Sequence, residues 1–104
     1  MKLYLLTQEV NTGCECCEGA VVVADNEEEA KTIAPDTDLV NNQIYHQVNE
    51  KGKWCFGYSE GAGKFRWEEE EWDKWAEPKD IKVKYLGEAD PGLKKGLVLS
   101  DGAD

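Results

Sequence analysis

Three of the four cysteines of this chain stand close together, in the stretch Gly13-Cys14-Glu15-Cys16-Cys17. Zinc prefers four thiolate or imidazole ligands, usually supplied as two close pairs. His46 and Cys55 would provide the second pair if a four-residue loop places them opposite each other on two paired strands. The candidate zinc set is therefore Cys14, Cys16, Cys17, His46 and Cys55. Cys-x-Cys-Cys is not a standard zinc motif, and free cysteines also pack as small apolar residues. We therefore expect no bound metal or cofactor.

Catalysis by one of these thiols is disfavoured by the charges around them. A reactive thiolate needs a neighbouring cation or a helix N-terminus, whereas this loop carries Glu15 and Glu18. His46 is the only histidine, and a single histidine in an alternating segment usually packs against its neighbours. No nucleophile-elbow, Cys-x-x-Cys or phosphate-loop motif is present. We therefore predict that the protein is not an enzyme.

A second candidate site is the acidic run from position 68 to position 73, in which five of six side chains are carboxylates. The ordinary explanation is a solvated face with its tryptophan turned inward. The alternative is a surface that imitates the charge of a nucleic-acid backbone, with tryptophans as anchors. Its partner would be a protein with a basic surface, such as a groove that binds nucleic acid. The candidate partner-binding residues are Glu68, Glu69, Glu70, Glu71, Trp72, Asp73, Trp75 and Trp67.

A small-ligand pocket is a third candidate site. Gln8, Asn11 and Thr12 follow the first apolar run and could read the edge of a base that stacks on an aromatic ring. Lys82 and Lys84 could contact the phosphates of the same ligand. A homo-oligomer is possible, and a pocket between subunits would complete such a site. The loop that carries Glu15 and Glu18 would form an edge of this pocket. The ligand would be a small nucleotide.

Length and charge restrict the classes of protein that remain. The 104 residues fit one compact domain, residues 1–104. The net charge of −10 repels phosphates and anionic lipids, so we expect no direct nucleic-acid binding and no membrane binding. The sequence has no apolar run long enough for a signal peptide or a transmembrane helix. We therefore expect a cytoplasmic protein with reduced thiols.

The elements that must position these residues are mostly strands. Residues 2–8 and 20–24 are apolar runs, which we expect to pair in an antiparallel arrangement with the second run buried on both faces. Alternating patterns with turn signals between them indicate a β-meander over residues 43–67. Further strands are predicted at 81–85 and 96–99.

Two helices are predicted to accompany the strands. Asp25 or Asn26 can cap a helix that continues to Ala34 and ends at Pro35. Trp72 and Trp75 have a helical spacing, which predicts a second short helix within residues 68–77. The expected fold class is α+β: a mostly antiparallel sheet of four to seven strands packed against one main helix, with a possible second short helix.

The segments MKLYLLTQ, VVVA, EEEA, YLGEA and GLVL resemble an uncharacterised family of short bacteriophage and prophage proteins. Residues 43–67 look like an insertion relative to that family. In place of the family's Tyr-Asp-x-Tyr-Asp loop, this chain keeps acids at Glu15 and Glu18 and carries cysteines instead of tyrosines.

The resemblance implies a phage protein in the host-cell cytosol. Its expected function is inhibition of a host defence, in the manner of an anti-CRISPR protein. Two alternatives stay open, which are a sponge for a cyclic or adenine nucleotide signal and a small zinc-stabilised structural module.

Overall fold

A computed structural model describes residues 1–10, 19–40, 43–72 and 74–101 of the chain, and every structural statement concerns these residues. They form mostly antiparallel sheet with very little helix. The strands are β1 (Lys2–Thr7), β2 (Gly19–Ala24), β3 (His46–Val48), β4 (Trp54–Gly61), β5 (Lys64–Glu69), β6 (Lys82–Glu88) and β7 (Gly96–Asp101). The helical elements are α1 (Glu27–Ala30) and a 3₁₀ turn, Pro78–Asp80.

The strands form two sheets. The four-stranded sheet has the order β6-β1-β2-β7, and every neighbouring pair in it is antiparallel. β1 and β2 are neighbours as predicted, with Leu5 opposite Val21. β2 lies in the interior of its sheet, and both Val22 and Val23 are buried although they point to opposite faces. The prediction of a strand buried on both sides is therefore confirmed.

The three-stranded sheet is the predicted meander, with the order β3-β4-β5. The loop between β3 and β4 spans five residues, 49–53, because Val48 lies opposite Trp54. Asn49 holds this loop, since its side-chain oxygen accepts hydrogen bonds of 3.0 Å from the backbone N–H groups of Lys51 and Lys53. Gly52 supplies the positive φ of 76° that the turn requires.

This longer loop shifts the register by one residue. His46 lies opposite Phe56, and Cys55 lies opposite Gln47. A shift of one residue moves a side chain to the other face of a strand. The prediction that His46 and Cys55 face each other is therefore wrong.

The main helix is far shorter than predicted. α1 begins as expected, with Asn26 accepting a hydrogen bond of 2.8 Å from the Glu29 N–H. The Glu29 carbonyl then accepts from both the N–H and the hydroxyl of Thr32, so the Ile33 N–H bonds to Ala30 instead. The regular helical hydrogen bonds therefore stop at this turn, and Pro35 has no N–H with which to continue them. One turn of helix therefore replaces the predicted main helix.

The second helix, predicted within residues 68–77, is absent from the described residues of this segment. Glu68 and Glu69 belong to β5, and the Glu70 N–H still bonds to the carbonyl of Trp54 at 3.2 Å. The only helical turn nearby starts at Pro78, where the predicted helix was to end. Trp72 and Trp75 are both non-helical and both pack with the core cluster, so their spacing reflects burial and not helical periodicity.

One core joins the two sheets. Trp54 of the three-stranded sheet belongs to the same buried cluster as Leu6 and Val22 of the four-stranded sheet, and its indole N–H donates to the Ala76 carbonyl at 2.8 Å. The buried core residues are Tyr4, Leu6, Val22, Ala24, Ala30, Ala34, Trp54, Trp75, Ala76 and Ile81. Within the described ranges, no helix has the length and apolar character needed to cross a membrane.

Candidate functional site

The acidic run extends the edge of the three-stranded sheet. Glu68 and Glu69 end β5, the Glu70 N–H still bonds to Trp54 of β4, and Glu71 follows it. All four side chains are exposed. Asp73, the last acid of the predicted run, lies outside the described residues. The predicted solvated acidic surface is therefore present over four consecutive positions.

Three of these glutamates border a cleft of about 560 Å³, which we call the acidic cleft. Its carboxylates come from two short stretches of chain, residues 69–71 and 77–80. The lining residues are Val10, Lys53, Trp54, Glu69, Glu70, Glu71, Trp72, Trp75, Ala76, Glu77, Lys79 and Asp80. The acidic cleft thus has five carboxylates and two lysines.

Both lysines of the acidic cleft contact the same carboxylate. Lys53 Nζ lies 2.9 Å from one oxygen of Glu77, and Lys79 Nζ lies 3.6 Å from the other. The hydrogen bond from Lys53 lowers the pKa of Glu77, and the same bond raises the pKa of Lys53. The remaining carboxylates leave the cleft with net negative charge.

Neutral or basic neighbours position three of the glutamates. Asn49 donates a hydrogen bond of 3.0 Å to Glu69, and the Tyr58 hydroxyl donates to Glu70. Glu68 points away from the cleft toward Arg66, whose Nε lies 3.2 Å from it. The partners in these two bonds, Asn49 and Tyr58, carry no positive charge that would offset Glu69 or Glu70 at the cleft.

The bond between Tyr58 and Glu70 gives a testable pH effect. It raises the pKa of Tyr58, because ionisation would lose the bond and place two negative charges together. Its stabilising contribution is present below the ordinary tyrosine pKa and is lost as the pH rises through the folded-state value. We expect Glu70→Gln to lower the pKa of Tyr58, measured by tyrosinate absorbance and assigned with Tyr58→Phe. Glu71→Gln is the control, and an equal change in both variants would contradict the assignment.

The three predicted anchor tryptophans occupy different places. Trp75 is 0% exposed, so it lies beneath the acidic cleft and a partner cannot reach it. Trp67 lies on β5 with its ring over Gly57, where an added Cβ would come within 2.8 Å of a ring carbon. Trp72 is half-buried and lines the cleft. Trp72 is therefore the tryptophan that presents aromatic surface to the acidic cleft.

Trp72 is held by two aromatic contacts. Its ring stacks on the His46 imidazole, with centroids 3.8 Å apart and planes within 3°. It also meets Trp54 edge-on, with centroids 5.1 Å apart. His46 Nδ1 lies 2.6 Å from a carboxylate oxygen of Asp36. The sequence interpretation of His46 as a packing residue agrees with these contacts.

The candidate zinc ligands do not assemble within the described residues. Cys55 is a buried free thiol on the strand face opposite to His46. In residues 1–10, 19–40, 43–72 and 74–101, no three His, Cys, Asp or Glu side chains are placed to hold a metal. Cys14, Cys16 and Cys17 lie outside these ranges.

The predicted nucleotide pocket is only partly described. Gln8 is buried just after β1, whereas Asn11, Thr12, Glu15 and Glu18 lie outside the described residues. Lys82 forms an exposed ion pair of 3.0 Å with Glu9. Lys84 is exposed on β6.

Several lining residues of the acidic cleft had no signal in the sequence. Lys53 lies in the loop between β3 and β4, whereas Glu77 precedes and Asp80 ends the 3₁₀ turn Pro78–Asp80. The bond from the Trp54 indole to the Ala76 carbonyl holds these two parts of the chain together. A long-range contact of this kind has no local pattern.

Comparison with known proteins found no matching family model, no matching curated protein and no matching solved structure.

Proposed function

We propose that the protein acts by binding, and that the acidic cleft takes a positively charged segment of a partner protein. The single observation that carries this proposal is the cleft itself, in which five carboxylates surround an accessible tryptophan. Two lysines are present, but both contact Glu77. An arginine or lysine side chain entering the cleft would meet uncompensated negative charge.

The chemistry of Trp72 suits the same ligand. A cation over the face of an indole ring gains an electrostatic attraction that is largest for tryptophan. The stack on His46 and the edge contact with Trp54 hold the ring in place, which lowers the entropy cost of binding. The methylene groups of a long basic side chain would cover the ring while its head contacts the glutamates.

The family resemblance extends this proposal to a biological role. We infer that the partner is a host defence protein whose groove is basic because it binds nucleic acid. Carboxylates spaced along an extended segment occupy such a groove by imitating phosphates, and the attraction between opposite charges accelerates association. The host-cell cytosol is the compartment in which this partner would be met.

The two alternatives receive less support from the geometry. A nucleotide stacked on Trp72 would place its phosphates beside five carboxylates, which repel them. Lys82, one of the two expected phosphate ligands, is paired with Glu9. The zinc-stabilised module lacks its second ligand pair, because His46 and Cys55 point to opposite faces.

Neutralising the cleft tests the proposal. We expect the triple variant Glu69→Gln, Glu70→Gln and Glu71→Gln to bind a synthetic arginine-rich peptide about tenfold more weakly or worse. The measurement is the dissociation constant by fluorescence anisotropy, at low salt and again at about 0.15 M salt, where screening should weaken binding by the native chain.

The matched control removes the same amount of charge elsewhere. Its three substitutions, all at exposed glutamates outside the cleft, are Glu27→Gln, Glu50→Gln and Glu88→Gln. Both variants then carry the same net charge, so a difference between them reports on the cleft alone. Equal weakening in the two variants would show that only the overall charge attracts the peptide, and the proposal would be wrong.

A further inference from the structure

The outer edge of β5 has backbone groups that its own sheet does not use. β5 is the last strand in the order β3-β4-β5, so its other side has no strand partner in the described part of the chain. The Glu70 N–H bonds to the Trp54 carbonyl, directly opposite in the register. Backbone bonding alternates along an antiparallel strand. The N–H and C=O groups of Phe65, Trp67 and Glu69 therefore point outward.

The charged side chains of this edge strand are positive on the N-terminal side of Trp67 and negative on its C-terminal side. Lys64 and Arg66 precede Trp67 on one face of the strand, and Glu68 and Glu70 follow it on the same face. All four side chains are exposed. When this pattern is read in the reverse direction, every positive charge meets a negative one. The β5 strand of a second copy, paired in the antiparallel direction, presents the same residues in reverse order.

We propose that two copies of this chain pair through the edges of β5, antiparallel and with Trp67 on the two-fold axis. In this register Arg66 lies opposite Glu68 of the second copy, and Lys64 lies opposite its Glu70. The two three-stranded sheets become one continuous six-stranded sheet. Such an interface uses the same surface patch on both copies, which is the commonest symmetry among soluble oligomers.

Charge selects this register among those that the backbone allows. Backbone bonds form between the two copies only when each of Phe65, Trp67 and Glu69 lies opposite a residue of this same set in the second copy. The permitted registers therefore differ from one another by slips of two residues. Centring the pair on position 66 would place Arg66 opposite Arg66 of the second copy. Centring it on position 68 would place Glu68 opposite Glu68 of the second copy. Like charges directly opposite destabilise a pair of strands. Centring on Trp67 avoids both repulsions.

The ion pairs within one copy do not prevent this pairing. Arg66 lies 3.2 Å from Glu68 and 3.9 Å from Glu60 of the same copy, and all three side chains are about half exposed. Such exposed pairs contribute little. Arg66 and the second copy's Glu68 would meet at a position without backbone bonds between the opposed residues, where side chains come closest.

A charge swap tests the proposal at about 0.15 M salt, which screens the repulsion between two acidic chains. Sedimentation equilibrium of the full chain should give twice the monomer mass of 11.7 kDa. We expect Arg66→Glu and Glu68→Arg each to weaken dimerisation by about tenfold or more, because each places like charges opposite one another twice. The double variant should restore the dimer, since its pairs re-form with reversed signs. A swap that fails to restore it would refute the register.

A backbone test separates edge pairing from association through another surface. Phe65→Pro removes an outward N–H that β4 does not use, whereas Phe65→Ala keeps it. We expect the proline variant to be monomeric and the alanine variant to stay dimeric, with circular dichroism confirming that both fold. A native chain that stays at 11.7 kDa up to about 1 mM, or a dimer that survives the proline, would overturn the proposal.

Discussion

Replacing Trp75 by alanine should lower the free energy of unfolding by about 3–5 kcal/mol, the range found for large aromatic residues removed from a core. The indole is 0% exposed and belongs to the cluster that joins the two sheets. Its loss leaves a cavity beneath the acidic cleft. Because domains of this size are stable by about 5–15 kcal/mol, this loss is a large share of the total stability.

Denaturant unfolding followed by circular dichroism measures this loss. Trp67→Ala is the matched control, since it removes the same side chain from a half-buried position on β5. We expect its cost to be well below that of Trp75→Ala. If the two substitutions cost the same, Trp75 is not a core residue. A milder loss in Trp75→Phe, which refills part of the cavity, would confirm that packing is the cause.

Replacing Trp72 by alanine should weaken binding of the arginine-rich peptide by roughly 30-fold, the effect of removing an aromatic hot spot of about 2 kcal/mol. The indole is the accessible wall of the acidic cleft, and every carboxylate around it stays in place in this variant. The loss would therefore measure the aromatic contribution apart from the charge. The dissociation constant by fluorescence anisotropy is the measurement.

The control for Trp72 is again Trp67→Ala. Both tryptophans are half-buried and flank the same four glutamates, but Trp67 covers Gly57 and does not line the cleft. We expect Trp67→Ala to change peptide binding by less than about twofold, in the range of peripheral interface residues. Equal losses would mean that the peptide lies along β5 and not in the acidic cleft.

The strands were predictable because their signals are local. The valine run of β2 and the alternation in β4 each bury residues within a few positions, so the pattern is complete inside the strand. The turn at Gly52 was predictable for the same reason. The register between β3 and β4 was not, because it depends on two hydrogen bonds that Asn49 makes across the loop.

The helices were mispredicted for two physical reasons. The cap at Asn26 is real, but a cap signals only where a helix begins, and the Thr32 hydroxyl ends this one within a turn. The tryptophan spacing near residue 72 matched a helix by burial alone. A non-helical segment that buries side chains at the same spacing produces the same pattern, and tertiary contacts then decide which structure forms.

The acidic surface was predictable from composition, whereas the acidic cleft was not. Four consecutive glutamates are visible in any reading of the chain. The enclosure of three of them with Glu77 and Asp80 requires the Trp54 bond to Ala76 and the pairing of Lys53 with Glu77. These contacts join residues more than twenty positions apart. The same long-range contacts decide which of the three candidate tryptophans lines the acidic cleft and is accessible to a partner.

The order of the strands along the chain has a consequence for folding kinetics. The three-stranded sheet is built from neighbouring segments, and its hairpins close loops of only a few residues. The four-stranded sheet must bring Thr7 to Lys82, near opposite ends of the chain. The entropy cost of loop closure rises with the length of chain enclosed, and non-local pairings slow folding. Early pairing within the three-stranded sheet shortens the effective loop, so the rate of folding should depend more on its two hairpins than on β6 and β7.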